Sequence, residues 1–452
     1  MNVFEDYRRT VQSAQPMGLR GCISGVRGLT AMVDDFPAPV GSACRIFRGG
    51  SEVEGRVVGF SGRTTLVMPM GAIAGLCRGD RVEFSHADQA ISAGGGLLGR
   101  VIDSHGRPID GRGPMAVEAR VQMWPAARNA MERRRIDEPL ATGVRAIDGL
   151  LTVGRGQRMG IFSGSGVGKS VLLGMIGRYT AADVTVIGLI GERGREVLDF
   201  IERDLGEQGL ARSVVVVSTS DEPPLARVQA AAVATAVAEY FRVQGHSVLL
   251  LVESLTRLAA AQRMIGLAAG EPPATKGYTP SVFSLLPELL ERPGRTARGS
   301  ITAFYTVLVE GDDAADPVAD AVRSITDGHI FLSRGLAAQG HYPAIDVLGS
   351  ISRVMMDVAG EACLKAAREV HRVLAMHAEI QDLVNIGAYK AGASTEYDLA
   401  IAMMPAVRRF VTQAIGESSP LERTRKELRQ LHQQVQDLRL GLHHPHGVKG
   451  GG

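Results

Sequence analysis

The sequence predicts an α/β protein that begins with a small β-barrel, continues with a mostly parallel sheet covered by helices, and ends in helices. Three observations predict this order. Short β-rich runs separated by glycine fill residues 21–90, apolar strands alternate with helical stretches over residues 91–365, and no strand pattern follows over residues 366–442. Alternation of strands and helices is typical of a parallel sheet with helices on its faces.

The first segment, residues 1–20, predicts a short amphipathic helix ahead of the barrel. Val3, Phe4, Tyr7 and Val11 recur at helical spacing. An apolar stripe of this kind is a candidate docking surface for a partner protein.

The runs CISGV, GRVVGF and TTLVMPM predict the strands of a barrel domain over residues 21–90. The alternative is that these strands merge into the sheet that follows. Residues 94–113 are dense in glycine and proline, which places the boundary between the two units near residue 90.

Six apolar runs predict the strands of the central sheet over residues 91–365: RMGIF, VTVIGLI, SVVVVS, SVLLLV, ITAFYTVLV and GHIFLS. Ligands of such sheets collect at the carboxyl ends of the parallel strands. The loop after Phe162 is expected at that edge.

Residues 366–442 predict helices. Leu428, Leu431, Val435, Leu438 and Leu442 recur at alternating spacings of three and four, which fits a coiled-coil or partner-facing helix and equally a helix packed on its own domain. The tail, residues 443–452, holds three histidines. We expect it to be disordered rather than metal-binding, because its glycines and proline leave those ligands unorganised.

Composition disfavours several classes of protein. A formal net charge of +2 over 452 residues provides no basic field to recruit nucleic acid. The four cysteines have no close pairing, which fits reduced thiols in the cytoplasm. The longest apolar stretches, such as residues 248–252, are too short to cross a bilayer, and the acidic start MNVFEDYRR does not predict secretion.

Residues 160–170, GIFSGSGVGKS, join an apolar strand to a glycine-rich turn, a lysine and a hydroxyl residue. Glycines here let backbone N–H groups converge on phosphate oxygens, and a helix starting near Gly168 adds its positive dipole end. The pattern predicts a site for a nucleoside triphosphate and Mg²⁺. The predicted nucleotide-binding residues are Ser163, Gly164, Ser165, Gly166, Val167, Gly168, Lys169 and Ser170.

Lys169 is expected to bridge the β- and γ-phosphates, and Ser170 to ligate Mg²⁺. The usual pattern GxxxxGK[ST] has glycine where this chain has Ser163. Serine is small and tolerates turns, so we expect the loop to form. The alternative is a glycine-rich turn without a ligand.

Two carboxylates follow predicted strands and are expected beside the nucleotide. Glu192 and Arg193 follow VTVIGLI, and Glu253 follows SVLLLV. Hydrolysis requires a base to orient water and a carboxylate to support Mg²⁺, and we favour Glu192 as the base. The alternative for both acids is a solvated charge at a strand end.

Longer stretches carry a family resemblance: IDEPLATGVRAIDGLLTVGRGQRMGIFSGSGVGKS, GERGREV, ESLTRLAAAQRMIGLAAGEPPATKGYTPSVFSLLPELLER, VEGDDAADPVADAVRSITDGHIFLSR and YPAIDVLGSISRVM. They resemble the flagellar protein-export ATPases, in a wider group with the injectisome type III secretion ATPases and the catalytic subunits of rotary ATP synthases. The resemblance covers nearly the whole chain. It implies ATP hydrolysis, a RecA-like nucleotide domain between barrel and helical domain, and a homohexameric ring with sites between protomers.

The resemblance also implies individual roles. Lys169 and Ser170 become the phosphate and Mg²⁺ ligands, Glu192 the catalytic base, and Arg193 a phosphate contact. Further along the chain, Arg353 in SISR takes the position of an arginine finger that reaches the neighbouring subunit, and Tyr342 in YPAID that of the aromatic against adenine. The family has aspartate where Glu253 stands, so the carboxylate lies one methylene farther out and its metal geometry is expected to differ.

The resemblance further implies partners. The N-terminal helix is expected to bind a stator-like regulatory protein, and the C-terminal helices a central stalk protein and complexes of export substrates with chaperones. The location implied is the cytoplasmic face of the export gate, peripheral to the cell membrane.

Several functions stay open beside flagellar export. The injectisome ATPase is the nearest rival, and EGDD, GEPPATKGY and SSPLERTRKELRQL favour the export branch over a rotary ATP synthase subunit. A nucleotide-sensing scaffold of weak activity is motivated by Ser163 and Glu253. A ring-shaped RNA translocase ranks last, because no aromatic and basic platform for single strands occurs in the first ninety residues.

Overall fold

The computed structural model describes residues 18–85, 89–309 and 316–443. Most of the predicted N-terminal helix and the tail beyond His443 lie outside these ranges. Within the described ranges, no helix is both long enough and apolar enough to traverse a bilayer.

Six antiparallel strands close into the predicted barrel in the order β1-β2-β5-β4-β3-β6. Its interior is filled by alternate residues of the strands, including Ile23, Val33, Ile46 and Val67, each at most 1% exposed. The barrel is a sheet of its own, so the alternative that its strands merge with the next sheet is wrong. The strands are β1 (Arg20–Arg27), β2 (Thr30–Asp34), β3 (Ala43–Arg48), β4 (Ser51–Ser61), β5 (Thr64–Pro69) and β6 (Arg81–Ser85).

A nine-stranded sheet follows, and all six predicted strands belong to it. The order is β17-β16-β10-β15-β13-β11-β12-β8, with the short β14 antiparallel to β15. The strands from β16 to β8 are parallel, and β17 is an antiparallel edge. The strands are β8 (Arg100–Ile102), β10 (Arg158–Ser163), β11 (Val184–Glu192), β12 (Ser213–Thr219), β13 (Ser247–Glu253), β14 (Gly294–Arg295), β15 (Ser300–Leu308), β16 (Gly328–Leu332) and β17 (Ile345–Ser352); a separate ribbon pairs β7 (Ala90–Ala93) with β9 (Ala119–Gln122).

Helices cover both faces of this sheet, as predicted. Leu250 of β13 packs into one core, whereas Leu249 and Leu251 pack into the other. The helices are α1 (Arg145–Leu150), α2 (Lys169–Tyr179), α3 (Gly194–Asp199), α4 (Gly206–Ala211), α5 (Pro224–Val243), α6 (Leu255–Ala269), α7 (Pro280–Leu290), α8 (Pro317–Ile325), α9 (Arg334–Ala338) and α10 (Met355–Val358). A π-helical segment, Phe200–Leu205, joins α3 to α4, and short 3₁₀ turns span Gly95–Leu97, Ala130–Glu132 and Thr275–Gly277.

Three helices form the C-terminal domain: α11 (Glu361–Asn385), α12 (Thr395–Val411) and α13 (Leu421–His443). Leu428, Leu431 and Val435 of α13 are buried in the core shared with the sheet, and Leu438 is 38% exposed. The apolar stripe therefore packs mainly on its own domain.

Candidate active site

The phosphate loop lies between β10 and α2 at the carboxyl edge of the sheet. Gly166 and Gly168 have φ values of +76° and +90°, which side chains rarely tolerate. A Cβ on Gly164 would lie 2.5 Å from Nε of Arg334, so a side chain here would require the Arg334 guanidinium to move. Ser163, by contrast, is the last residue of β10, where extended backbone suits any residue. This explains how the loop forms without the usual first glycine.

Lys169, Ser170 and Glu253 meet directly beneath this loop. Lys169 Nζ lies 3.0 Å from Glu253 Oε1, and the Ser170 hydroxyl lies 3.4 Å from the same oxygen. Glu253 is only 4% exposed, so it is no solvated strand-end charge. A buried carboxylate beside a hydroxyl offers the oxygen ligands that Mg²⁺ prefers. Among the described residues, no group of three or more histidine, cysteine or acidic side chains could hold a metal ion by itself, so a cation here would rely on a substrate's oxygens as well.

Glu192 ends β11 at the same edge and is 6% exposed. Its carboxylate forms an ion pair with Arg257 in the first turn of α6, where the Ser254 hydroxyl accepts a hydrogen bond from the Arg257 N–H. Burial raises the pKa of Glu192 to about 7, opposed by Arg257 and assisted by Glu196 and Glu253. A carboxyl group with this pKa is suited to accept a proton near neutral pH.

Arg257 is a site residue that the sequence reasoning missed. It lies four residues after Glu253, one helical turn beyond the strand end, and it also lies 4.0 Å from Glu196. The signal that could have revealed it is the arginine one helical turn after Glu253 in the run ESLTR. Arg334, whose guanidinium covers Gly164, was missed as well; it borders a cavity of about 290 Å³ beside the phosphate loop.

Arg193 is not drawn into this cluster. Its side chain is 78% exposed, and its ion-pair partner is Glu196 at 3.7 Å. Within this protomer the structure therefore places Arg193 at the rim of the site.

Arg353 lies at the opposite edge of the sheet. Ile345 of β17 pairs with Leu332, beside the phosphate loop, whereas Ser352 pairs with Gly328 at the amino edge. Arg353 follows Ser352 and is exposed. Along β16, the four steps from Gly328 to Leu332, at about 3.3 Å each, separate the two edges, so Arg353 does not belong to its own protomer's phosphate site.

Tyr342 borders the phosphate loop on the other side. A Cβ on Gly168 would lie 3.5 Å from the Tyr342 ring, which is 44% exposed. The Tyr342 carbonyl accepts a hydrogen bond of 2.9 Å from the Gln413 N–H, in the segment after α12. Ile415 of that segment is half exposed, and its carbonyl accepts from the Tyr179 hydroxyl. The sequence did not predict these contacts between the segment after α12 and the residues beside the phosphate loop.

Comparison with protein families matches three regions of the chain. The nucleotide-binding domain of the ATP synthase alpha/beta family matches residues 143–352, and the β-barrel domain of that family matches residues 25–86. The T3SS EscN ATPase C-terminal domain matches residues 359–430. Together these matches follow the barrel, the sheet and the terminal helices.

Curated relatives and solved structures agree with these matches. The flagellum-specific ATP synthase of Treponema pallidum is 53% identical over 91% of this chain and 92% of its own, and that of Pseudomonas aeruginosa is 50% identical over 94% and 96%. The type 3 secretion system ATPase of Xanthomonas euvesicatoria is 49% identical over 89% and 92%. The assembled ATPase EscN of the enteropathogenic E. coli type III secretion system superposes with a TM-score of 0.86, at 42% identity over 91% of this chain and 99% of EscN. The chain belongs to the ATP synthase alpha/beta family, among the flagellum-specific ATP synthases and type 3 secretion system ATPases.

Proposed function

We propose that this chain hydrolyses ATP to energise type III protein export, in the flagellar system. The observation that carries the proposal is the convergence of Lys169, Ser170, Glu253 and Glu192 at one edge of the sheet. The relatives named flagellum-specific ATP synthases support the choice of system. The injectisome remains the rival, because the type 3 secretion system ATPases are similar to nearly the same degree.

Lys169 and the loop N–H groups bind the β- and γ-phosphates of ATP in this proposal. Without ligand, the Lys169 ammonium pairs with the buried Glu253 carboxylate. In the ATP complex, Lys169 turns to the phosphates, and Ser170 and Glu253 are the residues that would hold Mg²⁺. When bound, Mg²⁺ neutralises charge on the phosphate oxygens. Tyr342 supports the adenine ring with its exposed face.

Glu192 accepts a proton from the water that attacks the γ-phosphate. Burial raises the pKa of Glu192 to about 7, so its carboxylate can accept that proton near neutral pH. Arg257 holds the Glu192 carboxylate at the carboxyl edge through their ion pair. Arg193, exposed at the rim, is proposed as a phosphate contact once ATP is bound.

Arg353 is proposed to act on the site of a neighbouring copy in a homohexameric ring. Its place at the amino edge and its exposure support action outside its own protomer. A cation that meets the developing charge on the phosphate contributes roughly 10³- to 10⁵-fold in rate. The similar protein EscN has an assembled structure, which supports an oligomer. A second EscN structure, with a TM-score of 0.84, is in complex with its central stalk EscO.

The remaining assignments are also proposals. Residues 1–20 bind a stator-like regulator, residues 21–90 form the barrel domain, residues 91–365 hydrolyse ATP, and residues 366–442 meet the central stalk and substrate–chaperone complexes. The protein acts in the cytoplasm, peripheral to the membrane at the export gate, and binds no nucleic acid.

The test is ATP turnover per chain as a function of protein concentration. If Arg353 completes a neighbour's site, turnover rises steeply with concentration, and Arg353→Ala lowers kcat at least 10³-fold while ATP affinity changes little. Arg63→Ala, an exposed arginine of the barrel, is the matched control and should leave turnover unchanged. A flat concentration profile contradicts sites shared between subunits.

The turnover measurement also tests the scaffold alternative, and a complementation experiment separates the two export systems. Tight ATP binding without turnover at any concentration would favour the nucleotide-sensing scaffold. Restoration of swimming in a flagellar ATPase deletion strain, without restoration of injectisome secretion, would favour the flagellar system over its rival.

A further inference from the structure

A cavity of about 380 Å³ lies at the amino edge of the central sheet, opposite the phosphate loop. Two lining residues fix this position, because Gly294 pairs with Ile301 and Arg295 with Ser300 at the start of β15. Its walls combine apolar surfaces of Trp124 and several prolines with arginine side chains. Neither the proposed catalysis nor the proposed subunit contacts use this cavity.

One carboxylate serves two buried guanidinium groups in the wall. Glu239 accepts a hydrogen bond of 3.1 Å from Arg242 and one of 2.5 Å from Arg292. Arg242 is 1% exposed, Glu239 is 7% exposed and the Arg292 side chain is 10% exposed. The group Arg242–Glu239–Arg292 therefore holds one positive charge in excess, out of water.

Nearby groups do not supply the missing negative charge. Arg128 lines the same cavity and has no ion-pair partner among the described residues, and its charge adds to that of Arg292. Burial first, and then these two cations, lower the pKa of Arg242 to about 10 against the opposing pull of Glu239. Glu291 of the lining is already shared between two other arginines, and Glu288 is exposed, where solvent screens it.

Hydrogen-bonding capacity is also unused at this wall. Nη1 of Arg242 donates to the Arg292 carbonyl and Nη1 of Arg292 to the Met123 carbonyl. Among the residues that the structure describes, Nε of neither arginine has a hydrogen-bond partner. Buried charge is costly unless it is paired, so an anion in the cavity would lower the free energy of this arrangement.

We propose that this cavity binds a small organic anion, with one phosphate or carboxylate group held by Arg128 and the Arg242–Glu239–Arg292 group. An apolar or aromatic body rests against Trp124 and the prolines of the wall. The site is separate from the nucleotide. Strand β13 runs from Ser247 at the amino edge to Glu253 in the phosphate site, a span of about 20 Å at ~3.3 Å per residue.

Trp124 makes the proposal testable, because it is the only tryptophan of the chain. The full chain is titrated at constant ionic strength with phenyl phosphate and with benzoate while tryptophan fluorescence is recorded. We expect a saturable change with at least one of them, and the tighter binder identifies the preferred anionic group. Arg128→Gln should weaken it about tenfold, the loss of one charge-assisted hydrogen bond. Arg128 is exposed, so its replacement does not endanger folding.

Three controls decide the outcome. Arg63→Gln makes the same change of charge on the barrel and should leave the titration unchanged. Lys169→Ala weakens phosphate binding at the nucleotide loop, and the Trp124 response should survive it. The proposal is overturned by the absence of a saturable change, by an equal response to benzyl alcohol, by indifference to Arg128→Gln, or by loss of the response in Lys169→Ala.

Discussion

The pH dependence of ATP turnover tests whether Glu192 acts as the catalytic base with a pKa raised by burial. A base must be ionised to accept a proton, so activity is lost as pH falls through its pKa. With the pKa of Glu192 raised to about 7, the ionised fraction is about one in eleven near pH 6 and about ten in eleven near pH 8. We therefore expect kcat/KM, which reports the free enzyme, to rise about tenfold across that interval. An ordinary glutamate with a pKa of 4.5 would give almost no change.

Glu196→Gln separates this effect from the ionisation of ATP itself. The hydrogen bond with Glu196 raises the pKa of Glu192, so its removal should move the midpoint to lower pH. Ionisation of ATP is the same for both proteins. Glu202→Gln removes an exposed acid from the neighbouring π-helical segment and is the matched control.

The assay is initial phosphate release at several ATP concentrations with excess Mg²⁺, in buffers of equal ionic strength. A profile that is flat between about pH 6 and about pH 8 would refute the role of burial at Glu192. A rising limb whose midpoint ignores Glu196→Gln would assign the titration to another group.

Three further predictions concern metal support and stability. Glu253→Asp should retain or raise ATPase activity, and Glu253→Ala should depress it, since the carboxylate beside Ser170 is what the site requires; activity indifferent to both changes would remove Glu253 from the site. Arg145→Ala should cost about 1.5–3 kcal/mol in chemical denaturation, because the buried guanidinium donates to the carbonyl of Phe410 at the end of α12 and to that of Thr412 just after it, and pairs with Glu417; an unchanged midpoint would contradict this. Gly174→Ala should cost about 1–3 kcal/mol, because a Cβ on this residue of α2 would lie 2.5 Å from a backbone oxygen, whereas a Cβ on Gly177 would meet only the methyl ends of two leucines, so Gly177→Ala should be nearly neutral; equal losses would refute the packing argument.

Local sequence signals predicted much of the fold. Each of the six apolar runs became a strand of the central sheet, because a strand buried on both faces needs a continuous apolar run. The short strand β8 and the edge strand β17 were not predicted. Strand β8 has only three residues, too few to show a periodicity. Strand β17 alternates buried with exposed residues, so it has no continuous apolar run.

The candidate site likewise has a part that the sequence predicted and a part that only the structure revealed. GIFSGSGVGKS predicted the phosphate loop, and the strand ends predicted Glu192 and Glu253, since these patterns are contiguous in the chain. The sequence did not reveal that Arg257 pairs with Glu192 or that Arg334 covers Gly164. Those contacts join elements far apart in the chain.

The sequence by itself therefore determined the kinds of elements, the phosphate loop and the residues that end each strand, because these depend on local backbone preference and periodicity. Only the tertiary structure decided the order of strands in the sheet. That order sets Glu253 opposite Leu189 near the end of the neighbouring β11 and puts Arg353 at the far edge. It also gathers Arg242, Glu239 and Arg292 around one cavity, because the packing of distant segments brings charges together that no local pattern links.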